Sequence, residues 1–442
     1  MAGNYVLSDN IDLSPTNPAN VSAWTSQDYV VGAFAKYTVG ATEYTYICVL
    51  NTTASQNPTD TTYWKQLWES SKGWLPIGNS STSFFSGIFN GRNGANQYTI
   101  SNLYINRGAA PCANDVYPSD GEDSIGLFGY VAPGSAADVQ ITNVVLAGVD
   151  VTGRRATGSL IGRILNPSNA TRTVLVSNCS VNDGTVKGFG ATGGLVGANN
   201  SNRKQQVPVI SFSWANVTVS ATHPANVTRN PNDSIGNTGI NNPYNIKYGG
   251  LVGCNETGVT MESYARGNVS GGDRVGGLAG CTIDGAILQC FSTGSATRNI
   301  EPGNWEGGVG GLVGRITGFL PPGLGGYQSN ASVQNSYWDT TISGNTTSAA
   351  GTGYTTTQMQ NSANFNNWDF TNVWRIDSGN DGYPYLASNP SVEYYYRTTQ
   401  AGVWENKSHW EYSSDNSAWN PTPIIPSFSN SLSKLIRHDI TV

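Results

Sequence analysis

Charge is scarce in this chain of 442 residues: Asp, Glu, Lys and Arg make up 12% of it, about half the usual share. The net charge is −6 and no dense run of Lys or Arg occurs, which argues against nucleic acid or an anionic membrane as partner. No apolar run approaches the length of a membrane span. The opening Met1-Ala-Gly-Asn-Tyr5 has no basic stretch leading into an apolar one, as a secretory leader would. Two origins fit that beginning: a piece of a longer secreted protein, or a chain assembled without a leader, as viral structural proteins are. His223, His409 and His438 are the three histidines and share no ligand spacing. His-Glu-x-x-His and Gly-x-Ser-x-Gly are both missing, which removes the zinc-protease and serine-hydrolase signatures. Cys48, Cys112, Cys179 and Cys290 are scattered without a Cys-x-x-Cys zinc spacing.

What is abundant is glycine, 53 residues of it, and much of it recurs in six pentamers. These are Ile125-Gly-Leu-Phe-Gly129, Gly158-Ser-Leu-Ile-Gly162, Gly193-Gly-Leu-Val-Gly197, Gly249-Gly-Leu-Val-Gly253, Gly276-Gly-Leu-Ala-Gly280 and Gly310-Gly-Leu-Val-Gly314. Their central leucines step by 33, 35, 56, 27 and 34 residues, a period that means stacked structural units. Between pentamers run short apolar alternations such as Val139-Gln-Ile141 and Val149-Asp-Val151, broken by Asn, Asp, Gly and Ser, and no helical period appears. The expectation is an all-β solenoid of roughly ten coils and about 50 Å, with the pentamer leucines turned inward. Glycine suits its corners by tolerating positive φ or close backbone approach. Met261-Glu-Ser-Tyr264, Leu288-Gln-Cys-Phe291 and Val333-Gln-Asn-Ser-Tyr337 each place an apolar residue and then an aromatic on one side of a strand, so like should stack on like. The long step from Leu195 to Leu251 reads as an extra coil at Phe212-Ser-Trp214 without a pentamer, followed by a loop from His223 to Tyr248 that is a second candidate binding face.

Cys254 and Cys281 each follow a pentamer, so they should occupy one place on successive coils, where stacked thiols are expected and a bridge is permitted. Fourteen Asn-x-Ser/Thr sequons, Asn51, Asn216, Asn226 and Asn345 among them, would accept glycans in a eukaryotic host. An enzymatic reading needs paired carboxylates or a base beside a cation. The densest acidic group, Asp115, Asp120, Glu122 and Asp123, is a weak calcium candidate that reads better as a solvated loop. Arg154-Arg155 and Arg203-Lys204 read as ordinary surface, and Asp377, Asp381 and Gly382 as a structural turn. No cofactor is expected.

Trp74-Leu-Pro-Ile-Gly78, Phe85-Ser-Gly-Ile-Phe-Asn-Gly91, Tyr98-Thr-Ile-Ser-Asn-Leu-Tyr-Ile105 and the pentamers resemble the GLUG-repeat family, mostly large bacterial surface proteins and adhesins. So do Tyr337-Trp-Asp339, Thr355-Thr-Thr-Gln-Met359, Trp368-Asp-Phe370, Val373-Trp-Arg-Ile376 and Gly382-Tyr-Pro-Tyr-Leu386, which are similar to the segment that closes such arrays. The resemblance implies a right-handed parallel β-helix over residues 1–23 and 71–350, closed by 351–389. Asn90 stands where the family has Asp, and Arg92 to Gln97 lengthen that turn. Residues 24–70 interrupt the first coil and are similar to the chitin-binding-like modules of secreted glycosidases and of phage tail proteins. This insert concentrates Trp24, Tyr29, Tyr37, Tyr44, Tyr46, Trp64 and Trp68. Ring faces pack against sugar C–H surfaces while an indole N–H or a phenol takes a hydroxyl. Trp24, Tyr29, Tyr37, Tyr46, Trp64 and Trp68 are therefore the candidate carbohydrate contacts, about half of them expected to serve the small core instead.

Residues 390–442 resemble the start of a second extracellular β module, with Gly402-Val-Trp404, His409-Trp-Glu411 and Trp419. Its final strand reads as cut short or as pairing with a partner. The functional expectation is a non-catalytic extracellular attachment protein, on a cell or virion surface, whose partner is a cell-surface or matrix polysaccharide or glycoprotein. A phage tail fibre or tailspike, with or without polysaccharide-degrading activity, and a homo-oligomeric filament subunit are the alternatives.

Overall fold

The structure, a computed structural model, describes residues 2–107, 123–134, 137–167, 172–201, 207–222, 246–299, 308–316, 331–377 and 380–387, and beyond these only strand segments between 394 and 441. The chain winds as a parallel β-helix with four strand-built faces. The first face stacks eight strands, from Asn4–Val6 through Ile88–Asn90 and Val139–Thr142 to Ser332–Gln334. The second runs from Ile11–Asp12 to Tyr337–Asp339, and the third and fourth hold six strands each, Ser124–Ile125 to Val309–Gly310 and Phe128–Val131 to Val313–Ile316. The strand pairings between coils along these faces are parallel, and the register holds except for a shift between Asn182 and Thr185 where Ser180–Gly188 meets Trp214–Ala221. The expected strands at 139–141 and 149–151 lie within Val139–Thr142 and Val145–Thr152.

The pentamer lies where the third face turns into the fourth. Leu127, Leu160, Leu195, Leu251, Leu278 and Leu312 are all buried in one continuous interior with their Val, Ile, Ala or Phe neighbours. The backbone runs the same ladder: the Leu160 N–H donates to Leu195 O at 3.1 Å, Leu195 to Leu251 at 3.0, Leu251 to Leu278 at 2.9 and Leu278 to Leu312 at 2.9. The pentamer glycines are there for close approach. A Cβ on Gly193 would sit 2.1 Å from Val196 O, and one on Gly249 would sit 2.0 Å from Val252 O. None of the pentamer glycines has positive φ; that role falls to other residue types at the corner between the first and second faces. Asn143 (φ 57°), Asn178 (φ 55°), Phe212 (φ 47°), Glu262 (φ 46°), Gln289 (φ 50°) and Asn335 (φ 46°) turn successive coils there. Asn suits the position because its short amide hydrogen-bonds locally: Asn178 Nδ2 donates to Asn143 Oδ1 at 2.6 Å, and Asn143 Nδ2 to Asn90 Oδ1 at 2.9 Å.

Three sequence expectations change. Eight stacked strands on the first face at about 4.8 Å apiece give a rod of roughly 34 Å rather than 50. The long step between Leu195 and Leu251 is a single coil, with strands Val209–Ser211, Trp214–Ala221, Lys247–Gly249 and Val252–Glu256, so its pentamer is the one at Gly249. Most of the loop in that step lies outside the described residues, and Tyr248 at its end is fully buried, its hydroxyl donating to Gly188 O at 3.1 Å. Finally, the apolar-then-aromatic pairs do not share a strand. Tyr264, Phe291 and Tyr337 are in register, as are Met261, Leu288 and Gln334, so Gln334 and not Val333 continues the column. The left-handed residue between each pair separates two faces, and both columns belong to a second cluster apart from the interior.

That second cluster is completed by the residues after the last coil. Thr352–Tyr354 adds a strand to Tyr337–Asp339, and Ser348 Oγ accepts from the N–H groups of Leu312 and Val313, which roofs the pentamer ladder. The chain then folds back along the side. Met359, Phe365, Trp368, Val373, Trp374 and Tyr383 pack against the Tyr264–Phe291–Tyr337 column, with Trp368 and Trp374 stacked 4.2 Å apart. Arg266 donates to Asp381 at 2.7 Å, and Tyr385 donates to Asp377 at 2.6 Å, so this turn is structural as expected. Beyond it, Tyr394–Thr398, Trp410–Ser413, Asn420–Pro421 and Ser431–Leu435 form one sheet, Arg397 pairs with Glu411 at 2.7 Å, and Ile440–Thr441 pairs with Gly402–Val403.

Candidate functional site

The insert is built on a three-stranded antiparallel sheet, Phe34–Val39, Thr42–Cys48 and Trp64–Glu69. Alternation sends Ala35 and Tyr37 to one face of the first strand, and Tyr44, Tyr46 and Cys48 to the same face of the second. Tyr37 stands directly opposite Tyr44, Ala35 opposite Tyr46, and Trp64 opposite Cys48. Trp24 and Tyr29 come over this face from the preceding loop: Trp24 meets Tyr37 edge-on at 5.8 Å, and Tyr29 meets Trp64 at 5.0 Å.

The six candidate contacts therefore divide. Trp64 is 1% exposed, its indole donating to Gln56 O at 3.1 Å, and Tyr46 is 4% exposed, its hydroxyl donating to Gln66 Oε1 at 3.1 Å. Both are core, because a sheet this small has little else to bury, and neither can lie against a sugar. Trp68 packs on Trp74 at 6.0 Å and joins the insert to the β-helix. Trp24, Tyr29 and Tyr37 remain half-buried around the core, together with Tyr44 and Tyr63, which the candidate set had left out. Only the alternation of the paired strands, read across the hairpin, would have put Tyr44 beside Tyr37. Tyr29 Oη already accepts the Thr25 N–H, and the Trp24 indole N–H is enclosed without an acceptor among the described residues. The hydroxyls of Tyr37 and Tyr44 have no partner among the described residues. The surface thus offers half-buried rings plus two phenols, and the Trp24 indole N–H expected to reach a hydroxyl does not take part.

The insert hangs from a coil that closes behind it. The Leu13 N–H donates to Ser101 O, the Tyr104 N–H to Thr16 Oγ1, and the Trp74 N–H to Tyr104 O, so the chain on both sides of the insert lies on one stretch of the next coil. The Ile77 N–H and the Trp74 indole both donate to Leu127 O, at 3.0 and 3.2 Å, continuing the pentamer ladder below the first pentamer.

The other candidates resolve differently. Asp115, Asp120 and Glu122 lie outside the described residues, as do Cys112, Arg203, Lys204, Trp404, Trp419 and the three histidines. Asp123 is held by Arg154 at 2.9 Å and by Arg155 at 3.8 Å. Arg154 is buried, so this pair ties one coil to the next and is not ordinary surface. Among the described residues no three His, Cys, Asp or Glu side chains converge as metal ligands, and no helix is long and apolar enough to cross a membrane.

Parallel strands in four stacked faces, an outer aromatic column and a small antiparallel insert define a β-helix protein carrying an aromatic module. No family model matches the chain. It is 30% identical over 307 residues to halomucin of Haloquadratum walsbyi, a match that takes in 67% of this chain and 2% of that one, so the chain spans a small fraction of its relative's length. Among solved structures, a Bacteroides ovatus protein described as a candidate immunoglobulin A1 protease aligns over 72% of this chain and 82% of its own, at 15% identity and a TM-score of 0.34. A second, described as IgA1 protease, aligns over 70% of this chain and 23% of its own, at 16% identity and a TM-score of 0.32. The β-helix is read from this chain's own strand order.

Proposed function

We propose that this chain is a non-catalytic attachment protein exposed outside the cell, a β-helical stalk that presents residues 24–70 to polysaccharide or glycoprotein. The observation that carries the reading is the cross-strand pair Tyr37 and Tyr44, half-buried, with Trp24 in a T-shaped contact with Tyr37 and both phenols unpartnered among the described residues. Such a patch gives a pyranose half-buried aromatic surface to pack on and two phenol groups to orient it. A stiff rod whose interior is shared from coil to coil suits a spacer, because each interface adds to the stability of the next. The resemblance of the pentamers to GLUG arrays and the likeness to halomucin support the exposed setting.

The test is binding of the whole chain to a glycan array, compared with Tyr37→Ala/Tyr44→Ala and with a chain lacking residues 24–70. Loss of about 1.4 kcal/mol of ring contact lowers affinity tenfold, so the double variant is expected to drop by at least that much while its melting curve keeps the β-helix transition. Equal signal from the chain without the insert overturns the proposal.

A further inference from the structure

Cys254 and Cys281 are exact neighbours on the fourth face: their Cα atoms are register partners on adjacent parallel strands, and their sulfurs stand 2.8 Å apart. Neighbouring strands run about 4.8 Å apart, which falls inside the Cα separation a disulfide requires. The pair is buried in a small cluster with Ile283, against Ala191, separate from the main interior. Lys247 and Arg274, register partners on the third face, lie alongside and are themselves buried. Arg274 has Asp273 at 3.4 Å, whereas Lys247 makes no ion pair among the described residues and interacts electrostatically with both sulfurs and with Glu256.

We propose that Cys254 and Cys281 are a redox-active pair that closes into a disulfide between coils by exchange with a small-molecule disulfide. A thiolate of the pair attacks one sulfur of oxidised glutathione, whose S–S bond breaks and releases one glutathione thiol. The remaining protein thiol then displaces the second glutathione from the mixed disulfide. Two protein thiols have become one S–S bond, and their two protons and two electrons rest on two molecules of reduced glutathione.

Both sulfurs are enclosed, at 2% and 0% exposure, so exchange takes place on local opening of the fourth face, and the surroundings then favour the first step. Burial and the nearby Glu256 work against charge on Cys281, while the thiol–thiol hydrogen bond with Cys254 and the cations Lys247 and Arg274 lower it, so a thiolate is favoured within the touching pair. Cys254 is held up by the hydrogen bond it shares with Cys281 and by burial. The remaining described thiols lack this arrangement. Cys179 donates to the carbonyls of Ser177 and Ile141 and is pushed up to about 12 by burial, and Cys290, bonded to the carbonyls of Leu288 and Thr260, is pushed up too. Cys48 donates to Leu50 O at 2.9 Å.

The full chain, reduced and then incubated with oxidised glutathione, is denatured in iodoacetamide and mapped by mass spectrometry. The expected result is one linked peptide pair joining Cys254 to Cys281, a loss of about 2 Da for the two hydrogens removed, and alkylation of Cys48, Cys179 and Cys290. The Cys254→Ser and Cys281→Ser chains, checked for β-sheet signal by circular dichroism, should each lose the linked pair and keep the fold. Alkylation of Cys254 and Cys281 as complete as that of Cys179, or linkage of either to a different cysteine, overturns the proposal.

Discussion

At the scale of single residues, two backbone demands that a sequence cannot tell apart are met by different side chains. The pentamer glycines answer to neighbouring carbonyls. A methyl on Gly249 would enter Val252 O, backbone that cannot swing aside, so Gly249→Ala should unfold at lower denaturant by several kcal/mol, on the order of the largest single-residue effects. Asn143 answers to φ and, through its amide, to Asn90 and Asn178 on the neighbouring coils. Asn143→Gly keeps the backbone but drops both amide bonds and should lose about 1–2 kcal/mol, and Asn143→Val should lose about 1–2 kcal/mol more from the left-handed backbone. Urea midpoints of the three chains check both statements. Glycine was legible as the corner residue because its period is visible. The division of labour was not, since Asn, Glu, Gln and Phe at the other corner share no single chemistry and show nothing periodic until the strands are stacked.

Elements show where the sequence signal runs out. Repetition announces strands and the leucine column, both of which were readable, but it misreads coil length where a long loop widens one coil between Leu195 and Leu251. It says nothing of which way a non-leucine column faces. Tyr264, Phe291 and Tyr337 look like core in the sequence and are buried, yet what buries them is the tail that follows the last coil. That tail has no repeat of its own, so its docking side could not be read. Trp374 is its keystone, fully buried against Trp368, Phe291 and Tyr264. Trp374→Ala should cost about 3–5 kcal/mol of local packing and expose residues 356–387 to limited proteolysis while the coils stay protected. Arg266→Ala removes the pair to Asp381, whose side chain is 78% exposed, and should change little, because exposed pairs contribute about 0–1 kcal/mol. Equal proteolysis of both variants would contradict this ranking.

The whole molecule is a rod with one shared interior, roofed after the last pentamer by residues 345–349 and carrying an antiparallel module at its first coil. The insert was visible as an interruption of the repeat, and its aromatic density as a candidate site. Its burial pattern was not, because one face of three short strands must supply both core and contact surface, and only the cross-strand partners decide which ring does which. The stacking of the leucines is the claim on which rod, roof and presentation all rest. A double-mutant cycle measures it most directly: Leu195→Ala and Leu251→Ala, singly and together, by urea unfolding, beside the same cycle for Leu127 and Leu312. Contact between neighbouring coils predicts a coupling of about 0.5–3 kcal/mol for the first pair and additivity within about 0.5 kcal/mol for the distant pair. Additivity in both cycles would contradict the shared interior.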